Sequence, residues 1–374
     1  MGRSIQLGKL FGIPFKLHYS WFFIFIFITV ILSYAYYPEV ADDSWSTAAY
    51  WGLGVLTSLL FFASVLIHEL SHSAVAIREG MQVKSITLFF FGGVAQITRE
   101  ATKPTTELKM AIAGPLASIT LAGLYYGIFW ISNGFNVYLA ELCRWLALIN
   151  GVLAVFNMIP GFPLDGGRVF RSIIWLITGN YMRATRIATM AGRGVAYLFI
   201  LGGIVLLFLP QWLFNGIWFL FLGFLLYSAA TTSYRQAVLL DALKGFTAQD
   251  VMTRDPPLVP RDLTIRELIQ RRFLPTSNQF FLVVEGESVG GLLTLRRIKG
   301  IPKEEWDIIT TGQAMTPVEK LKAVRPSDDA LGVLQRMDEE NLNEIAVAGG
   351  GRVIGVIVRE NLIRFAQSLQ GLRR

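Results

Sequence analysis

The chain has 374 residues, of which 53% are hydrophobic and only 16% are charged, whereas soluble domains carry about 25% charged residues. This composition excludes a wholly soluble protein. Most of the formal net charge of +7 belongs to residues 1–240, which hold 15 Lys and Arg against 9 Asp and Glu. Basic residues in such an apolar region set membrane orientation, so we do not expect nucleic-acid binding.

Six apolar stretches are long enough to cross a membrane, since a helix needs about 20 residues to span a ~30 Å hydrocarbon layer. The Lys and Arg residues of this region concentrate in the N-terminal segment, in alternate connections and after the last stretch. The positive-inside rule therefore predicts that both termini are cytoplasmic. This agrees with the even number of spans, which requires both termini to lie on the same side. The predicted spans are 18–37, 51–77, 108–132, 141–159, 190–209 and 212–232.

Residues 84–98 (KSITLFFFGGVAQIT) join the second and third spans and are too short to cross as a helix. They are rich in Phe, Ile, Val and Thr and are interrupted by Gly92-Gly93, which favours a β-hairpin with the glycines at its turn. An interfacial loop is the alternative. Because unpaired strand edges cannot face lipid, a hairpin here must lie against protein or at the interface.

The second span contains an H-E-x-x-H arrangement, VLIHELSHSAV. Positions i and i+4 share one face of a helix, so His68 and His72 can bind one Zn²⁺ together. Glu69 could then take a proton from water, whose pKa falls to about 7 at a catalytic zinc. Because a carboxylate inside a membrane span costs about 3 kcal/mol, these residues indicate a functional site rather than helix packing.

A catalytic zinc also needs a third protein ligand and an open position. The single cysteine, Cys143, lies at the outer end of its span and is excluded. Asp165 and His18 remain as candidates. Asp165 is favoured because it follows the fourth span on the cytoplasmic side, where Pro160 and Pro163 break the helix, whereas His18 fits an interfacial side chain.

The C-terminal region contains two similar halves of about 60 residues, and each half contains an extended segment, a helix, a strand, a tight turn and a second strand. This pattern predicts two α/β modules packed together and resembles a tandem CBS pair. The aligned residues include Met252 with Met315 and Gly291 with Gly355.

The CBS resemblance raises the question of a ligand. Such modules often bind adenosine nucleotides through an aspartate near the end of each copy. Arg297 and Asn361 stand at the corresponding positions here, which argues against binding of an adenine nucleotide. The tail could instead serve as a homodimerisation surface or as a gate over the cytoplasmic entrance.

HELSH (68–72) followed by NMIPGFPLDGG (157–167), with AGPLAS at 113–118, resembles the site-2 protease family of intramembrane zinc metalloproteases. The resemblance covers residues 1–232 and implies one zinc per chain. By that resemblance the metal ligands are His68, His72 and Asp165, the general base is Glu69, and Asn157 holds substrate or stabilises the oxyanion.

We therefore predict a polytopic α-helical membrane protein with six transmembrane helices, a membrane-associated β-hairpin and a soluble α/β tandem CBS domain. It would cleave transmembrane segments of membrane-protein substrates near the cytoplasmic side of the bilayer, in regulated proteolysis. A CBS-gated transporter or channel is the alternative, but the polar residues gather at one depth and the membrane part shows no repeat. A third possibility is an inactive scaffold that keeps the fold, but such a protein would not need the complete H-E-x-x-H arrangement together with Asp165. The predicted domains are 1–232 (protease), 233–245 (linker), 246–310 (first CBS) and 311–374 (second CBS).

Overall fold

The computed structural model describes residues 4–41, 45–90, 92–97, 101–254, 256–270, 280–286, 288–350 and 352–372. The chain divides into two compact units, Met1–Ala237 and Val238–Arg374.

Within these described ranges, six helices are long and apolar enough to cross a membrane, which confirms the six predicted spans. Most of their ends lie within about four residues of the predicted ones, but the fifth helix begins at Tyr181 and the sixth ends at Ala242, well outside the predicted 190–209 and 212–232, because helical hydrogen bonding continues past the apolar run into polar residues. In chain order the helices are α1 (Tyr19–Ile31), which a π-helical turn (Leu32–Tyr36) joins to α2 (Tyr37–Ala41) in one span, α3 (Thr47–Arg78), α4 (Pro104–Ser132), α5 (Val137–Asn157), the short α6 (Asp165–Thr178), α7 (Tyr181–Leu207) and α8 (Leu213–Ala242).

Helix α6 was not predicted as an element of its own. It is only 14 residues long and strongly amphipathic, so it cannot cross a membrane. It begins at Asp165, whereas α5 ends at Asn157, and Pro160 and Pro163 lie between the two helices. The predicted break of the helix at these prolines is therefore confirmed, and the break places Asp165 in the first turn of a new helix.

The membrane unit also contains a four-stranded sheet in which only the two central strands pair in parallel. The hairpin predicted for 84–98 is present, but its predicted turn is wrong. Phe89 pairs with Gly92 and Leu88 pairs with Gly93, so both glycines lie within a strand. The strands, in sheet order, are β1 (Ser4–Leu10), β2 (Ile13–His18), β3 (Val83–Phe89) and β4 (Gly92–Ile97).

The second unit contains two α/β halves, each with its own sheet and its own apolar core. One sheet has the strand order β5-β6-β7-β8 and the other has the order β11-β10-β9. The elements are α9 (Ala248–Val251), β5 (Leu258–Pro260), α10 (Ile265–Leu268), β6 (Phe280–Glu285), β7 (Ser288–Thr294), α11 (Leu295–Lys299), α12 (Thr311–Ala314), β8 (Thr316–Pro317), β9 (Ala323–Val324), α13 (Ala330–Glu339), β10 (Glu344–Gly349), β11 (Arg352–Val358) and α14 (Arg359–Leu372).

The two halves complete one another through equivalent contacts. A Cβ atom on Gly291 of the first half would lie 2.7 Å from the sulfur of Met315, at the start of the second half. A Cβ on Gly355 would lie 2.6 Å from the sulfur of Met252, at the start of the first half. Each methionine therefore packs on the glycine of the other half, and the residues that the sequence aligned occupy matching positions.

Candidate metal centre

The two histidines of the H-E-x-x-H arrangement lie on one face of α3 and are buried, with exposures of 4% for His68 and 5% for His72. Residues of α4 contact the Nδ1 atom of each imidazole ring. His72 Nδ1 lies 2.6 Å from the backbone oxygen of Met110, and His68 Nδ1 lies 2.9 Å from the hydroxyl of Ser118. Because a backbone carbonyl only accepts, Nδ1 of His72 must donate, which leaves its Nε2 as an acceptor when the ring is neutral.

Asp165 meets both rings on their Nε2 side. One of its carboxylate oxygens lies 3.1 Å from Nε2 of His68 and 3.1 Å from Nε2 of His72, and the two Nε2 atoms are 3.2 Å apart. Three potential metal-ligand atoms therefore converge on one point. Because Nδ1 of His72 donates, both Nε2 of His72 and the Asp165 oxygen are acceptors, so a proton or a metal ion must lie between them.

The donor set fits zinc. Two imidazole nitrogens and one carboxylate oxygen are the ligand types that a catalytic zinc uses with three protein ligands. In a tetrahedral site with bonds of about 2.0–2.1 Å, ligand atoms lie about 3.3–3.4 Å apart, close to the separations of these three atoms. The Nδ1 atoms of the two histidines contact Met110 and Ser118, and metal-binding histidines in proteins are commonly oriented by such a hydrogen bond from the nitrogen that does not bind the metal.

Gly114 of α4 makes room for the cluster. A Cβ atom on Gly114 would lie 2.2 Å from Nε2 of His72 and 2.6 Å from Nε2 of His68. Real Cβ atoms essentially never approach other atoms so closely, so any side chain at this position would occupy the space into which the two ligand nitrogens point. The absence of a side chain is therefore a structural requirement of this site.

The loop before Asp165 and the first turn of α6 are held by backbone-to-backbone contacts. A Cβ on Gly161 would lie 2.4 Å from Cα of Gly192 in α7, and a Cβ on Gly167 would lie 2.3 Å from the carbonyl carbon of Gly161. Only glycine allows such approaches, because it has no Cβ. These contacts fix the first turn of α6 and therefore the position of Asp165.

Glu69 and the three candidate ligands line one cavity of about 640 Å³ within the membrane unit. The Glu69 carboxylate accepts a hydrogen bond from the backbone N–H of Ala95 in β4. A Cβ on Gly93 would lie 2.4 Å from Cγ of Glu69, so β4 passes directly against this side chain. Asn157, at the end of α5, lines the same cavity.

His18, the other candidate for a third ligand, lies elsewhere. It caps the N-terminus of α1, where its Nδ1 lies 2.8 Å from the hydroxyl of Ser20 and accepts from the Ser20 backbone N–H. The Ser20 hydroxyl in turn accepts from the backbone N–H of Phe90, beside the β3–β4 hairpin. His18 is therefore a capping residue, and among the described residues it is not part of the ligand cluster.

Sequence reasoning missed the residues of α4 that support the site. The AGPLAS motif was noticed, but it gives no local sign that Gly114 faces two histidines or that Ser118 contacts one of them. A buried ion pair between Glu107 and Arg171 was also missed, because the basic residues of this region were interpreted only as determinants of membrane orientation.

Comparison with known proteins shows which family the chain belongs to. The sequence profile of Peptidase family M50 matches residues 56–142 and 135–201, and the CBS domain profile matches 248–303. The chain is 35% identical to the Synechocystis sp. protein sll0528, over 98% of this chain and 97% of that one. It is 30% identical to the zinc metalloprotease MJ0392 of Methanocaldococcus jannaschii, over 99% of this chain and 98% of that one.

Among solved structures, a site-2 protease from Methanocaldococcus jannaschii is 30% identical, and the match covers 62% of this chain and 94% of that chain with a TM-score of 0.41. The family assignment depends on the sequence relatives, which are 30–35% identical over nearly the full chain. By that identity and the matching profile, the chain belongs to peptidase family M50, the site-2 proteases, and is a multi-pass membrane zinc metalloprotease with a CBS domain.

Proposed function

We propose that the protein is an intramembrane endopeptidase that cleaves transmembrane segments of other membrane proteins near the cytoplasmic side of the bilayer, in regulated proteolysis. One observation carries this proposal. The nearest ligand atoms of His68, His72 and Asp165 lie 3.1–3.2 Å apart, and Glu69 faces the same cavity inside the helix bundle.

In this proposal each site residue has one task. His68, His72 and Asp165 would bind a single zinc ion. When bound, zinc would act as a Lewis acid toward the peptide carbonyl and lower the pKa of water to about 7. Glu69 takes the proton from the attacking water and delivers it to the leaving amine. The side-chain amide of Asn157 donates to the carbonyl oxygen as negative charge develops there.

The outer edge of β4 offers a place where an extended substrate could pair as an additional strand. A helical substrate hides its carbonyls in i→i−4 bonds, so it must unwind before cleavage. In the part of the chain that the structure describes, β4 is the last strand of its sheet, and its residues line the cavity beside Glu69. The Ala95 N–H points away from β3, since it donates to Glu69. We infer that an unwound substrate adds to this edge as a strand.

The strand edge can be tested with Ala95→Pro, which removes one N–H on the free side of β4 and leaves the bonds to β3 in place. Blocked strand addition should lower kcat/KM about 5–10-fold, mainly through KM, while zinc content stays constant. Because the Ala95 N–H also donates to Glu69, a fall in kcat alone would indicate an effect on Glu69 instead. Cleavage of a fluorescent transmembrane peptide in detergent measures this. Ala95→Gly keeps the N–H and serves as the control; equal activity of the two variants would argue against strand addition.

We also propose an orientation in the membrane and a set of domain limits. Basic residues concentrate on the side of the membrane unit that carries both termini, so we assign the termini to the cytoplasm. We assign 1–232 to the protease, 233–245 to a linker, and 246–310 and 311–374 to the two CBS copies. The CBS pair then lies on the cytoplasmic side, where pairing of two chains through it would produce a homodimer.

Elemental analysis of the purified full chain tests the metal centre. We expect one zinc per chain, and we expect Asp165→Asn and His72→Ala to weaken zinc binding about 100-fold or more, because each removes a ligand. His18→Ala is the control, since this histidine caps α1. The proposal would be wrong if Asp165→Asn bound zinc as tightly as wild type, or if His18→Ala lost it.

The substrate class is tested separately in cells. Comparative proteomics of membrane fragments from cells that express wild type or Glu69→Gln should show fragments that depend on Glu69 and end within a transmembrane segment. Fragments that end only in soluble domains would contradict cleavage at membrane depth.

A further inference from the structure

A buried ion pair lies beside the metal centre. Arg171 of α6 donates from Nε to a carboxylate oxygen of Glu107 in α4 at 2.7 Å, and its Nη2 contacts the same oxygen. Glu107 is 1% exposed and Arg171 is 8% exposed. Asp165 begins the same helix that carries Arg171, so the pair connects the helix of the third candidate ligand to α4.

The guanidinium of Arg171 also contacts the segments on either side of α6. Its Nη1 donates to the Tyr181 hydroxyl, at the start of α7, at 2.7 Å. Its central carbon lies 4.8 Å from the ring centroids of both Phe162 and Tyr181, which is within cation–π distance. Phe162 belongs to the loop that precedes Asp165. One side chain therefore holds this loop, α6 and α7 against Glu107 of α4.

Glu107 shares a face of α4 with the residues that hold the two histidines. Met110, Gly114 and Ser118 follow it at helical spacings of three, four and four residues, so all four lie on one side of the helix. Met110 and Ser118 fix the two imidazole rings, and Gly114 leaves space for their Nε2 atoms. A single helix face therefore contacts both histidines directly and contacts the helix of Asp165 through the ion pair.

Stability alone is a poor explanation of this pair. Removing two charges from water costs so much that well-packed apolar residues often do as well or better. Within the described residues, the second carboxylate oxygen of Glu107 is buried without a hydrogen-bond partner, which adds to the cost. A directional, two-pronged contact does, however, fix the register and rotation of α6 relative to α4.

We propose that Arg171 and Glu107 are positioning residues that set α6 on α4 so that Asp165 reaches the two histidines. This inference rests on the proposed metal centre. Among the described residues, no hydrogen bond or ion pair joins Glu107 or Arg171 to the ligand atoms or to Glu69, so we infer that the pair acts on zinc binding through the placement of Asp165.

The test compares zinc affinity with the stability of the metal-free protein, using the full chain in detergent. The apolar double substitution Glu107→Met with Arg171→Met should leave the Tm of the metal-free protein unchanged or higher. Its zinc affinity, measured by competition with a chromophoric chelator, should fall about 10–100-fold. Glu79→Gln with Lys109→Met removes an exposed pair between α3 and α4 and is the matched control, expected to bind zinc as wild type does.

The role of Asp165 is isolated by repeating the double substitution in an Asp165→Asn background. There, removal of the pair should cause no further loss of zinc affinity. An equal loss in both backgrounds, or wild-type affinity of the double variant, would overturn the positioning role. If the double variant does not fold, Arg171→Lys takes its place, since lysine keeps the charge but lacks the paired N–H donors of the guanidinium. Its zinc affinity is compared in the same two backgrounds and with the same expected outcomes. Wild-type zinc affinity in Asp165→Asn alone would overturn the metal centre itself, and this inference with it.

Discussion

Glu69→Gln is expected to reduce proteolysis by about 10²–10⁴-fold while zinc remains bound at the wild-type level. Glutamine has nearly the same size as glutamate and can remain beside β4, but it cannot accept a proton from water. The candidate ligands His68, His72 and Asp165 are unchanged in this variant. Cleavage of a transmembrane peptide and elemental analysis of the same preparation measure the two effects together.

The matched control for this variant is Glu79→Gln, at the C-terminal end of the same helix. Its carboxylate is outside the cavity and pairs with Lys109 at 2.9 Å, and this contact with Lys109 lowers the pKa of Glu79. This control should cleave at the wild-type rate. Cleavage by Glu69→Gln within about threefold of wild type would rule out Glu69 as the general base. A transporter would have no reason to depend on this proton acceptor, so the same variant separates the two function classes.

The candidate ligands were predictable because their signal is local or chemically unusual. His68 and His72 follow from helical spacing alone, since i and i+4 share a face. Asp165 is an acidic residue in an apolar segment where prolines break the helix, so it needed a partner. The sequence does not show that the two elements meet, because that depends on tertiary packing. The glycine contacts that hold the loop before Asp165 likewise become visible only in the folded chain.

The sheet was predicted only in part, because half of it depends on pairing that is distant in the sequence. Strands β1 and β2 lie in the N-terminal segment, for which the sequence predicted a cytoplasmic location but no strands. Strand β2 pairs in parallel with β3, about 70 residues later, so neither segment carries a local sign of its partner. Gly92-Gly93 was interpreted as a turn for a similar reason. Gly93 is required where β4 passes against Glu69, which is a tertiary contact.

Gly114→Ala is expected to disable the metal centre, with zinc affinity reduced about 100-fold or more and proteolysis lost with it. The added Cβ would lie 2.2 Å from Nε2 of His72 and 2.6 Å from Nε2 of His68, so the rings must move. Neither ring can move freely, because Met110 and Ser118 hold the opposite nitrogens. Chelator competition on the purified full chain measures the affinity.

Gly123→Ala on the same helix separates this effect from a general effect of alanine in α4. A Cβ on Gly123 meets no atom within 4 Å, and alanine favours a helix by about 1 kcal/mol over glycine. This control should bind zinc and cleave peptide as wild type does. Wild-type zinc binding by Gly114→Ala would show that the two imidazoles do not converge where α4 leaves space for them. Because all three ligands depend on that convergence, such a result would remove the basis for assigning zinc to this cluster.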